Sequence, residues 1–165
     1  MKRRKEIEKA LGEVGESPAK WSRKEGNKNH VFMRKRVKPG TIRHMDYELL
    51  DVEIGESWPV PISIIHGSRP GPVVTLLGAI HGDELVGPLA LTYLCGPNFM
   101  GDERVIDSAV LAGTIRIVPI VNLPGYRRMI RDFPDGRDLN RCFPGKSDSN
   151  TTSRVAYKLW SNVIK

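Results

Sequence analysis

The chain has 165 residues, of which 39% are hydrophobic and 27% charged, a composition typical of a globular protein in solution. It contains no run of about 20 apolar residues, and its charged first residues lack the apolar core of a secretory signal, so we expect neither a membrane span nor secretion. The two cysteines, Cys95 and Cys142, are too few for a disulfide framework, which favours a cytoplasmic location.

The net charge of +7 is concentrated near the amino terminus. Residues 1–45 carry 14 Lys and Arg against five Asp and Glu, whereas residues 46–165 carry 12 against 14. The body of the protein therefore lacks the basic surface that nucleic-acid binding requires. We predict a basic, polar extension over residues 1–40, which is either a solvated tail or an electrostatic contact with nucleic acid or another anionic partner. A folded domain is predicted over residues 41–165.

The first half of this domain is predicted to contain three strands. Residues 47–54 and 59–65 are rich in β-branched and other strand-forming residues. Residues 67–72, with their Gly and Pro, predict a turn. Residues 73–80 then form a continuous apolar run, which predicts a strand buried on both faces of a sheet.

A helix is predicted next, over residues 85–95. Pro88 falls close to its start, where a missing N–H costs little, and Gly96 ends it. Residues 114–121 predict another strand. They are followed by a long, arginine-rich loop over residues 126–144, and loops of that length in compact domains are usually functional or disordered.

A last helix is predicted from about Ser153, capped by Asn150 or Thr151. Val155, Leu159 and Val163 recur in it at helical spacing. Because strands alternate with helices, we predict an α/β fold with a central, largely parallel or mixed sheet flanked by helices.

His81-Gly82-Asp83-Glu84 directly follows the predicted buried strand. Ligands of open α/β sheets bind beyond the carboxyl ends of strands. Neutral His nitrogen and carboxylate oxygen are zinc ligands, and Gly82 would let the backbone turn sharply between the two side chains. His81 and Glu84 are therefore candidate metal ligands. The alternative is a polar loop in which Glu84 interacts with a helix N-terminus.

A second motif, Asp-Leu-Asn-Arg-Cys-Phe-Pro-Gly, occupies residues 138–145. Arginine binds carboxylates through two parallel hydrogen bonds, and a neighbouring amide can add a donor, so Arg141 and Asn140 are candidate substrate-binding residues. Asp138 could hold Arg141 or Arg137 in place. The alternative is a surface loop whose arginines pair with its own aspartates.

Together the two motifs resemble the succinylglutamate desuccinylase/aspartoacylase family, which belongs to the wider group of zinc carboxypeptidases. The resemblance extends from about residue 49 to the end of the sequence. It implies a zinc carboxypeptidase-like fold, Zn²⁺ as cofactor and a small-molecule substrate with a free carboxylate. The implied activity is hydrolysis of the amide bond of an N-acyl amino acid, with carboxypeptidase action on peptides as the alternative.

The resemblance also implies a role for each motif residue. His81 and Glu84 would bind zinc, and Asn140 and Arg141 would bind the substrate carboxylate. Arg131 would stabilise the oxyanion that develops on the scissile carbonyl. Three other arginines of the same region compete for that position: Arg127, Arg128 and Arg137.

The family pattern includes two further residues, a third zinc ligand (His) and a catalytic Glu, both beyond the Asn-Arg motif. No His follows Arg141 in this sequence; His30, His44 and His66 all precede His81. We therefore expect residues 41–165 to be the amino-terminal part of a catalytic domain, completed by a carboxy-terminal part or by oligomerisation. A catalytically inactive, truncated domain is the alternative.

Overall fold

The computed structural model describes residues 30–33, 35–51, 57–96 and 104–165. Residues 1–29 of the predicted extension and residues 52–54 of the first predicted strand lie outside this part of the chain. None of the described helices is long and apolar enough to cross a membrane.

The described strands form two sheets. A small antiparallel sheet pairs β1 (His30–Phe32) with β2 (Lys35–Val37). The main sheet contains β3 (Thr41–Asp51), β4 (Ser57–His66), β5 (Arg69–Leu77) and β6 (Ala112–Val118). Its strand order is β3-β4-β6-β5; β5 and β6 are parallel, and the other pairs are antiparallel. The sheet is mixed and flanked by helices, which confirms the predicted fold class.

Three α-helices accompany the main sheet in the described part of the chain: α1 (Val86–Cys95), α2 (Leu123–Arg128) and α3 (Thr151–Leu159). The helix α1 confirms the predicted element, with Gly96 as its C-cap. The Asn150 side chain accepts a hydrogen bond from Ser153 N at 3.0 Å, so Asn150 is the N-cap of α3. A wider helical turn, Trp160–Ile164, continues α3.

Two hydrophobic clusters lie on opposite faces of the main sheet. Ile64 belongs to the larger cluster and Ile65 to the smaller one, because successive side chains of a strand point to opposite faces. The larger cluster lies against α3 and includes Val60, Ile62, Val118, Val155, Leu159 and Val163. The smaller cluster lies against α1 and includes Ile117, Leu91 and Cys95.

The prediction of a strand over residues 73–80 that is buried on both faces is wrong in two respects. The strand β5 spans Arg69–Leu77 and so begins inside the predicted turn. Val73 and Val74 are 48% and 46% exposed. The reason is that β5 pairs with β6 alone and forms an edge of the described sheet.

The end of the predicted extension contributes to the core. Phe32 of β1 and Val37 of β2 are buried in the larger hydrophobic cluster. A three-residue strand buries too few side chains to produce a sequence period, so neither residue is recognisable from the sequence. The domain boundary at residue 40 stays a prediction, with the described residues from His30 onward packed on the domain.

The predicted loop over residues 126–144 is not loop throughout. Its start belongs to α2, in which Pro124 occupies the first turn and the Asn122 side chain accepts a hydrogen bond from Gly125 N at 2.9 Å. Its end contains a single 3₁₀ turn, Leu139–Arg141. Both ends of the loop are therefore fixed by local capping, and only the middle is irregular.

Candidate active site

His81 lies just beyond the carboxyl end of β5, as the motif predicts. Two backbone hydrogen bonds, Gly78 N to Val118 O at 2.8 Å and Asn122 N to Ala79 O at 2.9 Å, tie the chain leaving β5 to the chain leaving β6. His81 itself is only 6% exposed. The parallel pair of strands thus fixes the backbone position of the histidine.

Gly82 is required because the backbone of another segment lies close to it, and not for the sharp turn that the sequence suggests. Its backbone is not in the left-handed region, but a Cβ at this position would lie 2.1 Å from Gly125 C and 2.4 Å from Tyr126 N. Gly82 N also donates a hydrogen bond to Arg131 O at 3.2 Å. A side chain at position 82 would therefore push the His81 loop away from α2 and from the Arg131 backbone.

Both ring nitrogens of His81 form hydrogen bonds with carboxylates. Nδ1 lies 2.8 Å from Glu84 Oε1, and Nε2 lies 3.0 Å from Asp138 Oδ1. Burial alone would lower the pKa of His81, but the hydrogen bonds with Glu84 and Asp138 outweigh it and raise the pKa above the ordinary value of 6.5. In the metal-free protein, the two carboxylates therefore stabilise the imidazolium.

Asp138 connects three parts of the site. Its Oδ1 accepts a hydrogen bond from Asn140 N at 2.8 Å as well as lying near His81, and its Oδ2 accepts one from Arg131 Nη2 at 3.2 Å. Burial acts to raise the pKa of Asp138, but the hydrogen bonds, first that with His81 and then that with Asn140 N, lower it below its usual value. The expected partners of Asp138, Arg137 or Arg141, are wrong; its partners are His81 and Arg131.

Arg131 is the arginine that reaches the His81 loop. Its Nη1 lies 3.6 Å from Glu84 Oε1, and its side chain is about half exposed. Within the described part of the chain, the three competing arginines make no ion pair or side-chain hydrogen bond with the carboxylates of this site: Arg127, Arg128 and Arg137. Of the four, only Arg131 contacts these carboxylates among the described residues, and its role as the oxyanion-stabilising arginine stays a prediction.

Asn140 and Arg141 lie on the 3₁₀ turn that Asp138 caps. Leu139 of the same turn is buried in the larger hydrophobic cluster and anchors it. The side chains of Asn140 and Arg141 are exposed, and neither forms a hydrogen bond or ion pair with another described residue. The structure brings their backbones next to Asp138 and leaves their side chains available to a ligand, so their roles stay predictions.

Asn122 is a site-forming residue that sequence reasoning missed. It is fully buried, and its Nδ2 donates to Arg131 O at 3.1 Å and to Asp132 O at 3.4 Å. In the sequence, Asn122 precedes Leu-Pro-Gly and is indistinguishable from an ordinary turn residue. The one available signal is its position directly after the β6 run, where a polar side chain is buried beside a strand end.

The ability of the site to hold a metal depends on His81 and Glu84. Their donor atoms, a ring nitrogen and a carboxylate oxygen, converge within 2.8 Å, and Asp138 supplies the second hydrogen bond that metal-ligating histidines carry. Across residues 30–33, 35–51, 57–96 and 104–165, no group of three or more His, Cys, Asp or Glu side chains is placed to hold a metal ion. The pair therefore fits a divalent metal in kind but supplies only two ligands.

Comparison with known proteins connects this site to an enzyme family. The sequence profile of the succinylglutamate desuccinylase/aspartoacylase catalytic domain matches residues 70–161, which include both motifs. The N-alpha-acetyl-L-2,4-diaminobutyric acid deacetylase of Halomonas elongata is 34% identical over 98 residues, covering 59% of this chain and 26% of that protein.

Two solved structures are similar to this chain. The product-bound ectoine utilization protein EutE (DoeB) from Ruegeria pomeroyi aligns with a TM-score of 0.60 and 32% identity, over 72% of this chain and 34% of that one. A succinylglutamate desuccinylase/aspartoacylase from Rhodobacter sphaeroides aligns with a TM-score of 0.62 and 28% identity, over 74% and 36%. The chain thus spans about a third of the length of these two structures.

Proposed function

We propose, from the premise that the chain belongs to the succinylglutamate desuccinylase/aspartoacylase family, that it provides part of the active site of a zinc-dependent hydrolase cleaving the amide bond of an N-acyl amino acid. The observation that carries this proposal is the convergence of His81, Glu84 and Arg131 at the carboxyl end of β5. The deacetylase activity in the name of the Halomonas relative favours N-acyl amino acids over peptides.

His81 and Glu84 would hold the zinc ion. Because Asp138 already occupies Nε2 of His81, Nδ1 is the nitrogen that faces Glu84 and is left for the metal. When bound, zinc supplies Lewis-acid polarisation of the scissile carbonyl and a water molecule of lowered pKa. The exposed carboxylate of Glu84 would exchange its hydrogen bond with Nδ1 for the metal.

The polar residues of the loop would contact two different groups of the substrate. Arg141 and Asn140 would bind the free carboxylate of the amino acid, since both side chains extend from the capped 3₁₀ turn without a protein partner among the described residues. Arg131 would face the carbonyl oxygen as negative charge develops on it. Its contacts with Glu84 and Asp138 hold its guanidinium at the edge of the candidate metal site.

The third ligand and the general base would come from polypeptide outside these 165 residues. All four histidines of the sequence lie in the described part: His44 bonds Ser63 Oγ, and the tilted rings of His30 and His66 lie against each other with their centroids 5.5 Å apart. The edge of β5 that has no partner strand among the described residues, with Val73 and Val74 exposed on its two faces, is the surface that such a segment would cover. A catalytically inactive domain is the competing function, favoured by the two-ligand site.

Equilibrium zinc binding tests the metal site. The wild type, His81→Ala and Glu84→Ala are dialysed against trace zinc and their bound metal quantified, with His44→Ala as a control because His44 lies outside the site. We expect about one zinc per chain in the wild type and control and its loss in both site variants. Equal zinc in the wild type and His81→Ala would contradict the proposed metal site.

Hydrolysis assays then separate the two functions. The zinc-loaded protein is incubated with N-acetyl and N-succinyl amino acids and, in parallel, with peptides bearing a free carboxyl terminus. Release of free amino acid from the N-acyl substrates alone supports the deacylase, and release from peptides alone supports a carboxypeptidase. Specific zinc binding with no release from either class favours the inactive domain for this chain.

A further inference from the structure

Asn122 joins three segments that surround the candidate site. Its backbone N donates to Ala79 O at the end of β5, and its Oδ1 accepts from Gly125 N at the start of α2. Its Nδ2 donates to the carbonyls of Arg131 and Asp132 in the irregular loop. The side chain is fully buried, so each of these hydrogen bonds is shielded from competing water.

The carbonyl of Arg131 is held from two sides. Gly82 N, next to His81, donates to it at 3.2 Å, and Asn122 Nδ2 donates to it at 3.1 Å. The Arg131 backbone is therefore bonded both to the loop that carries the candidate metal ligand and to the residue that caps α2. The guanidinium, in contrast, extends from this fixed backbone into a half-exposed position beside Glu84 and Asp138.

We propose that Asn122 is a positioning residue, which sets the place of the Arg131 guanidinium relative to Glu84 and Asp138 by holding the Arg131 carbonyl. The inference rests on the proposed function, because it matters for catalysis only where Arg131 faces the scissile carbonyl. An amide is needed at position 122, since one side chain must accept from Gly125 N and donate to two carbonyls at once. Asp, Ser and Leu each lack part of this set.

The substitution Asn122→Asp isolates the donor half of this arrangement. It preserves the size of the side chain and the acceptor for Gly125 N, but it turns a carboxylate oxygen toward the carbonyls of Arg131 and Asp132. Asn162→Asp is the matched control, because the same chemical change there affects only an exposed hydrogen bond to Tyr47 Oη, 2.9 Å long. Asn162 lies in the turn after α3 and has no contact with the site.

The first readout needs no activity. The signal of Arg131 Nη2–H, the group that donates to Asp138 Oδ2, is followed by ¹⁵N NMR in the metal-free protein and assigned by its disappearance in Arg131→Lys. In Asn122→Asp we expect this signal to move to the position of a solvated arginine and to exchange faster with solvent, and in Asn162→Asp to stay unchanged. An unshifted Arg131 signal in folded Asn122→Asp would overturn the inference.

The second readout is kinetic and uses an N-acyl amino acid with the zinc-loaded protein, completed by the polypeptide that supplies the third ligand and the general base. We expect kcat to fall roughly 100-fold in Asn122→Asp, the loss that a displacement of about 1 Å produces, while KM and zinc affinity stay close to the wild type. A rise in KM with unchanged kcat would instead show a ground-state role and overturn the inference. Asn162→Asp is expected to match the wild type in both constants.

Two outcomes separate this inference from the proposed function. If the wild type neither binds zinc nor hydrolyses the substrate, the proposed function fails, yet the Arg131 signal still decides whether Asn122 places that side chain. If Asn122→Asp does not fold, Asn122→Ser removes the amide donor without burying a charge. The same shift of the Arg131 signal supports the inference in that variant, and its absence overturns it.

Discussion

In the described part of the chain, two regions of the molecule each combine a buried histidine with an arginine, but only one of them contains carboxylates. The candidate site contains His81 and Arg131 together with two carboxylates. The second region, here called the basic cluster, consists of His30, His66 and Arg116 near the other end of β6. Arg116 is 9% exposed, and it has no ion pair with a carboxylate of a described residue.

Arg116 of the basic cluster contacts neutral groups instead, and its buried Nε has no hydrogen-bond partner among the described residues. Its Nη1 donates to Val163 O at 2.9 Å, and its guanidinium carbon lies 4.9 Å from the Phe32 ring centroid. His30 Nε2 lies 3.5 Å from its Nη2. Arg116 thereby joins β1, the main sheet and the turn that follows α3, which is a structural role.

The pKa values of His30 and His81 shift in opposite directions, because among the described residues only the candidate site contains carboxylates. In the basic cluster, burial, then Arg116 and His66, lower the pKa of His30 below 6.5. In the candidate site, the hydrogen bonds with Glu84 and Asp138 raise the pKa of His81 in spite of its burial. A histidine beside an arginine is therefore no sign of an active site; the accompanying carboxylates distinguish the candidate site from the basic cluster.

The largest expected effect is that of Arg131→Ala on hydrolysis. Loss of an oxyanion-stabilising donor lowers kcat by about 10²–10³-fold. Because the side chain is half exposed, the free energy of unfolding should change by less than about 1 kcal/mol. Steady-state kinetics with an N-acyl amino acid, in the protein completed by the polypeptide that supplies the third ligand and the general base, check the first part, and urea unfolding checks the second. Arg127→Ala is the matched control, and a loss of kcat in Arg127→Ala alone would transfer the role to Arg127.

Arg116→Ala should lower the stability of the protein without affecting the candidate site. It removes a buried side chain that fills space between β1 and the end of α3, so the free energy of unfolding should fall by about 3 kcal/mol. Zinc affinity should not change, because Arg116 does not contact His81 or Glu84. Urea unfolding and metal titration measure the two quantities. Arg116→Met, which retains most of the volume, should lose less, and an equal loss in both would show that the charge matters more than packing.

Asp138→Asn should weaken zinc binding without abolishing it. The variant loses the carboxylate that orients His81, and loss of such a partner typically costs 10–100-fold in metal affinity. Competition with a chromophoric chelator measures the affinity, and Asp148→Asn, an exposed site after the motif, serves as control. Wild-type affinity in Asp138→Asn would show that Asp138 does not orient the ligand.

The smallest effects are the opposite pH dependences of the two histidines in metal-free protein. A raised pKa for His81 means that its contribution to stability is complete below pH 6.5 and is lost as pH rises through the folded-state value. A lowered pKa for His30 means that its contribution is complete above pH 6.5 and is lost as pH falls through the folded-state value.

Urea unfolding of His81→Asn and His30→Asn between pH 5 and pH 8 checks these signs. The destabilisation caused by His81→Asn should be larger at pH 5 and that caused by His30→Asn larger at pH 8. Parallel pH profiles for the two variants would refute the distinction between the candidate site and the basic cluster.

The sequence by itself determined the class of the fold and the identity of the motif residues. The apolar runs that became β4 and β6 follow from burial on both faces of the sheet, and the helix spacing of Val155, Leu159 and Val163 follows from burial of one helix face. His81 directly follows such a run, so its position at a strand end could be derived without coordinates. The family resemblance rests on the same short motifs, because they are contiguous in the chain.

Only the tertiary structure decided the partners of those residues. Asp138 forms hydrogen bonds with Arg131 and with His81, and His81 lies 57 positions away along the chain. Asn122 donates a hydrogen bond to the Arg131 carbonyl. The exposure of Val73 depends on the absence of a described neighbour for β5. Each of these contacts depends on how the chain folds back on itself, within the irregular loop or between distant segments. Side-chain periodicity reports which face a residue occupies but not what lies opposite it.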